Sequence, residues 1–167
     1  MTHPKAVLIG PPGSGKTTVG AALAERLGVA LRDTDADVEA AAGRPISEIF
    51  IDDGEERFRE MERAAVRAAL AEHDGVVALG GGAILAPETQ ELLAGHTVVY
   101  LKVGLSEAVK RVGLASARPL LALNPRSQLR RLLNERLPIY ERLGTLHVDT
   151  EGRTPEEIAE EIVKGIA

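Results

Sequence analysis

Short apolar runs alternate with stretches of helical period along the whole chain. Residues 5–9, 30–32, 76–79, 97–101 and 146–148 read as strands, the first of them apolar enough to be buried. Between them the pattern predicts helices opening near Lys16, Asp35, Pro45, Asp53, Pro87, Leu105 and Pro125, and a last one at Thr154-Pro155. Val19, Leu23 and Leu27 fall four apart in the first helix, and Gly28 follows as a left-handed C-terminal cap requires. In the last helix Thr154 suits the N-cap, Pro155 the first helical position, and Glu156-Glu157 complement the helix dipole. Strands that alternate with helices imply parallel pairing, right-handed crossovers and a sheet covered on both faces, an α/β fold. No internal repeat, low-complexity tract or interdomain linker interrupts the pattern, so residues 1–167 read as one domain. The least regular segment, 113–125, begins with Gly113, contains Arg118-Pro119 and ends at Pro125, which makes it the candidate for a mobile lid.

Composition narrows the function. The 167 residues suffice for a real core, but aromatics are only 2%, so Leu, Val, Ile and Ala must build it. The same scarcity removes the stacking platforms of single-stranded nucleic-acid binders, and a net charge of −5 argues against nucleic acid again. Without cysteine there is no disulfide, zinc ribbon or thiol nucleophile, which suits a reducing cytoplasm. No signal-peptide pattern opens the chain, and no run approaches the roughly 18 apolar residues that span a bilayer. A cytoplasmic protein without a membrane partner is expected.

The strongest chemical signal is Gly10-Pro11-Pro12-Gly13-Ser14-Gly15-Lys16-Thr17, which fits G-x-x-x-x-G-K-[ST] between the first strand and the first helix. Glycines there let the main chain curl so that several N–H groups converge on phosphates at the positive end of the helix. Lys16 would reach the β- and γ-phosphates, and the Thr17 hydroxyl would be a ligand of Mg²⁺. A nucleoside triphosphate is the expected ligand.

Asp33-Thr34-Asp35 follows the second strand, on the edge where strand carboxyl ends gather and ligands bind. These residues have alternative readings: holding Mg²⁺ through water, contacting the hydroxyl that attacks the γ-phosphate, or simply capping a helix through Asp33 or Thr34. Gly80-Gly81-Gly82 ends the third strand, either as a turn or as bare backbone against which a ligand presses. In the helix beyond Gly54, an apolar stripe runs through Phe58, Met61, Ala65 and Ala69. Arg59 and Glu62, three apart, are expected on a different face, as a surface salt bridge or as part of a site. Of the many basic residues in the second half, Arg118 stands out because the suspected lid could close it over the phosphates. The four histidines have no acid partner at a telling spacing and are assigned no chemistry.

Together, the phosphate loop, Asp33-x-Asp35, Gly54-Glu-x-x-Phe58-Arg59-x-x-Glu62, the glycine triplet, Arg118-Pro119-Leu120-Leu121 and Arg136-x-x-x-Tyr140 resemble the shikimate kinases in order and spacing. The resemblance covers nearly the whole chain, and the combination is far more specific than the loop alone. It implies a fold of the nucleoside-monophosphate-kinase group, a P-loop sheet of five parallel strands ordered 2-3-1-4-5. It also implies Mg²⁺-dependent transfer of the ATP γ-phosphate to the 3-hydroxyl of shikimate, on the route to chorismate and the aromatic amino acids. By the same token shikimate would be held by Asp35, Arg59, Gly80, Gly81, Gly82 and Arg136, with Glu62 supporting Arg59. ATP would be held by Gly13, Ser14, Gly15, Lys16, Thr17 and Thr18, by Arg111, Arg118 and Pro119, and near the base by Arg153. Lys16, Asp35 and Arg118 would be catalytic, and Thr17 with Asp33 would serve the metal. The expected partners are small molecules, and the expected state is a monomer. Two departures stand out: Leu79 replaces a hydroxyl residue common in the family, and Lys110-Arg111 match it only loosely.

Paired N–H···O bonds from Arg59 and Arg136 suit a ring carboxylate, and Asp35 suits ring hydroxyls. A kinase for gluconate or a nucleoside monophosphate would need a different acceptor pocket. A GTP-driven switch would carry N-K-x-D, but Asn124 is followed by Pro and Asn134 by Glu.

Overall fold

The computed structural model describes residues 3–11, 13–104 and 125–166. Its strands are β1 (Ala6–Ile9), β2 (Leu31–Asp33), β3 (Val76–Ala78), β4 (Val98–Lys102) and β5 (Leu146–Asp149). Its α-helices are α1 (Lys16–Leu27), α2 (Thr34–Ala42), α3 (Ile46–Glu72), α4 (Pro87–Leu93), α5 (Pro125–Leu143) and α6 (Pro155–Ile166), with a 3₁₀ turn at Ala83–Leu85. The expected helix near Leu105 and residues 113–124 of the expected lid lie outside the described residues, as do Arg111, Arg118 and Pro119.

All four strand pairings are parallel, in the order β2-β3-β1-β4-β5. Central strands β1 and β3 are buried along their full length, as strands covered on both faces must be. Side chains alternate between two cores. Val7, Ile9, Val77, Val98 and Tyr100 pack with Val66 and Leu70 of α3 and Tyr140 of α5. Ala6, Leu8, Val76, Val99 and Leu101 pack with Val19 and Leu23 of α1 and Ile158 and Ile162 of α6. A smaller cluster of Val38, Ile49 and Phe58 ties α2 to α3. Among the described residues no helix is long and apolar enough to cross a membrane.

The caps follow the sequence. Gly28 closes α1 in the left-handed conformation at φ 68°. Thr154 and Glu157 form a reciprocal capping box, each side chain accepting from the other's N–H at 3.1 Å. The helices expected at Pro45 and Asp53 both form and abut within the span α3, parted by a kink at Gly54, whose backbone is non-helical (φ 88°, ψ 165°). The face expected for Glu62 is corrected. Its carboxylate is only 3% exposed, on the buried side of α3 between Phe58 and Val66, because the helix packs more of its circumference than the four-residue stripe suggests.

Candidate active site

The crevice lies at the carboxyl edge of the sheet, where β1 separates the strands that continue to either side. The chain leaving β1 curls through Gly13 (φ 81°) and Gly15 (φ 87°), a left-handed path that side chains resist. Gly15 is the N-cap of α1, and no acidic residue stands in the first turn. The positive end of the helix dipole therefore faces the loop with no acidic side chain in its first turn to oppose an anion. Lys16 lies back across the loop, its Nζ donating to the Gly10 and Pro11 carbonyls at 2.9 and 3.1 Å. Ser14 is buried and Thr18 exposed. A cavity of about 250 Å³ opens beside them, lined by Ser14, Gly15, Thr18, Thr150, Arg153 and Pro155. Arg153 is fixed there by the Asp149 carbonyl at 2.9 Å and by Glu161 at 2.7 Å.

Of the readings that its sequence context left open, Asp33 takes the helix cap, and it makes one further contact besides. One oxygen caps α2, accepting from the N–H groups of Asp35 at 2.8 Å and Ala36 at 3.3 Å. The other accepts the Thr17 hydroxyl at 2.7 Å. Thr34 is not the cap. It is fully buried, and its hydroxyl reaches the Ala78 carbonyl at 3.4 Å and accepts from the Gly80 N–H at 3.3 Å. Hydroxyl and carboxylate oxygens are the donors that Mg²⁺ prefers. Among the described residues no group of three His, Cys, Asp or Glu side chains could hold an ion alone. The Thr17–Asp33 pair therefore fits a cation that completes its shell with phosphate oxygens and water.

The second half of the site surrounds the glycine triplet. A methyl on Gly80 would stand 2.5 Å from Asp35 Oδ1 and 3.2 Å from Glu62 Oε2. One on Gly82 would stand 2.5 Å from Arg59 Nη1 and 2.8 Å from Nη2. A Cβ at either position would therefore displace the side chain that rests there. Asp35 from α2 and the Arg59–Glu62 pair from α3, bonded at 2.8 Å, thus meet over bare main chain. A buried ion pair adds little net stability, so its value here is to hold the guanidinium in place.

Arg136 enters from α5, which packs on the turn that follows the triplet. It is only 4% exposed, yet its Nε and Nη1 have no hydrogen-bond partner among the described residues. Such a group is costly to bury unless a ligand completes it. One turn later, Tyr140 donates its hydroxyl to the Gly81 carbonyl at 2.5 Å. Sequence reasoning quoted Tyr140 in a motif but gave it no part, and it took Thr34 only for a possible cap. The four-residue step from Arg136 was the available signal that Tyr140 shares its helix face.

A phosphate loop beside an acceptor pocket of carboxylates and guanidiniums, on one edge of a sheet with this strand order, defines a P-loop phosphotransferase. Comparison with known proteins gives the particular family. The family model described as shikimate kinase matches residues 12–167. The chain is 62% identical over 164 residues to a shikimate kinase of Salinispora arenicola, covering 98% of both chains. To one from Thermobifida fusca it is 63% identical over 163 residues, covering 98% of this chain and 95% of that one. The solved structure of shikimate kinase from Acinetobacter baumannii in complex with shikimate matches with a TM-score of 0.94 at 34% identity, covering 99% of this chain and 93% of the other. The chain belongs to the shikimate kinase family of ATP-dependent kinases.

Proposed function

We propose that this chain transfers the γ-phosphate of ATP to the 3-hydroxyl of shikimate, giving shikimate 3-phosphate and ADP, and does so in the cytoplasm. The observation that carries the reading is Arg136, a buried guanidinium with two uncompleted nitrogens on the helix that buttresses the glycine triplet. Shikimate is a small ring with one carboxylate and three hydroxyls. Arg59 and Arg136 grip the carboxylate, since planar N–H forks match its two oxygens and an ammonium does not. The triplet supplies more donors. Gly80 N–H is taken by Thr34, whereas the N–H groups of Gly81 and Gly82 have no hydrogen bond among the described residues.

On the nucleotide side the loop from Gly13 to Thr18 wraps the phosphates, and Arg153 borders the space beside it for the base. Thr17 and Asp33 would hold Mg²⁺, which would supply charge neutralisation on the transferring phosphate. Phosphoryl transfer asks the protein mainly for alignment and charge compensation, because its transition state is loose. Asp35 accepts a hydrogen bond from the 3-hydroxyl and turns the oxygen toward the γ-phosphorus. As the new P–O bond forms and the β–γ bridge breaks, the hydroxyl proton passes late to Asp35 and ADP departs. Lys16 and Arg118 offset the charge on the moving group.

Gly82→Ala isolates the acceptor side. Gly82 has φ −97° and ψ 0°, open to alanine, so the substitution disturbs only what the methyl meets, the Arg59 guanidinium. The KM for shikimate should rise roughly tenfold, equivalent to one hydrogen bond to a charged group, with the KM for ATP unchanged. Steady-state kinetics with each substrate varied in turn would check it.

The test of the activity is a coupled ADP-release assay with ATP and Mg²⁺ against shikimate, quinate, gluconate, AMP and no acceptor. ADP release should require shikimate. Release that is equal without acceptor, or that favours gluconate or AMP, would overturn the assignment.

A further inference from the structure

The glycine triplet is held by two buried hydroxyls that the reaction scheme does not use. Tyr140 has no exposed surface, and its hydroxyl donates to the Gly81 carbonyl at 2.5 Å across 59 residues of sequence. Its ring stacks on Tyr100 of β4 at 5.3 Å and 19°, which fixes the ring as well as its tip. Thr34, also fully buried, accepts from the Gly80 N–H and reaches the Ala78 carbonyl. The remaining carbonyls are satisfied within the turn: Gly80 accepts from Ala83 N–H at 3.1 Å and Gly82 from Leu85 N–H at 3.2 Å. This leaves the Gly81 and Gly82 N–H groups as the triplet's only main-chain groups without a hydrogen bond among the described residues.

We infer that Tyr140 and Thr34 are positioning residues for those donors: Tyr140 fixes the Gly81–Gly82 plane directly, and Thr34 fixes the plane that leads into Gly80, from which the triplet starts. This inference rests on the activity proposed above. A peptide unit turns as a plane, so anchoring the Gly81 carbonyl sets the direction of the Gly82 N–H in the same unit. By the same rule the Gly80 N–H bond to Thr34 orients the plane preceding Gly80, and the Gly80 carbonyl held by Ala83 sets the Gly81 N–H. Tyr140 also sits one helical turn beyond Arg136, with Pro138 between them, so the anchor and the carboxylate clamp share one helix. Three glycines in succession have no side chains to define their conformation, and without these anchors the donors would swing.

The experiment is Tyr140→Phe, which keeps the ring and its stacking and removes only the hydroxyl. The KM for shikimate should rise about five- to tenfold, kcat should fall by a smaller factor, and the KM for ATP should not change. Tyr100→Phe, in the same stack but away from the triplet, should leave both KM values unchanged. Thr34→Val should raise the shikimate KM as Tyr140→Phe does, and Thr34→Ser, which keeps a hydroxyl, should restore it. These Thr34 variants decide the matter if Tyr140→Phe does not fold. A drop in melting temperature for Tyr140→Phe with an unaltered shikimate KM would make the residue merely structural and overturn the inference. If the wild-type protein itself releases no ADP with shikimate, the activity fails and the positioning role falls with it. If wild type is active and only the variants behave as wild type, the positioning role alone fails.

Discussion

Asp35→Asn should reduce kcat by about 10²–10⁴-fold, the range for a group that handles a proton at the reacting oxygen, with ATP affinity nearly intact. The variant keeps the shape of the side chain, and the cap of α2 stays with Asp33, so the helix should survive the change. What is lost is the anionic acceptor at Oδ1, which sits against Gly80 where a ring hydroxyl would come to rest. Rapid-quench measurement of the transfer step together with equilibrium binding of ATP would separate chemistry from nucleotide binding. Turnover at the wild-type rate would remove Asp35 from the mechanism.

Arg136→Ala should raise the KM for shikimate by about 100-fold, the loss of two charge-assisted hydrogen bonds at about 1.5 kcal/mol each. The expected effect on folding has the opposite character. A guanidinium buried with Nε and Nη1 uncompleted contributes unfavourably to the substrate-free protein, so its removal should leave the melting temperature unchanged or raise it. A melting temperature that holds while the shikimate KM climbs identifies a residue retained for its ligand. If the KM for ATP alone changed, the two substrate sides would have been assigned the wrong way round. Lysine at this position should not rescue binding, because one ammonium cannot reproduce two parallel N–H donors.

The sheet was largely legible in the sequence because its central strands are continuous apolar runs and its helices carry clear stop and start residues. Gly28, Thr154 and Pro155 announce their positions by local chemistry alone. Features that depend on distant neighbours were less legible. Spacing alone leaves Glu62 open between a surface partner of Arg59 and part of a site, and its burial is decided by elements far away in sequence. Asp33 caps α2 through one oxygen and meets the Thr17 hydroxyl through the other, a second contact that no local pattern announces. Likewise no local pattern marks the hydroxyls of Thr34 and Tyr140. Their acceptors and donors lie 44 to 59 residues away. The joint at Gly54, by contrast, is legible as the boundary between two helices, and the non-helical backbone there bears it out.

Lys16 gives the phosphate loop a selectivity of its own. Its ammonium already contacts two main-chain carbonyls, so an arriving anion must offer more than charge to draw it away. A lone carboxylate or inorganic phosphate presents few oxygens and would trade good dipoles for a comparable partner. A polyphosphate can occupy the curled N–H groups and the lysine together, and each contact makes the next exchange easier. If the loop binds ATP as proposed, it would rest self-quenched and would discriminate by how many oxygens a visitor brings at once.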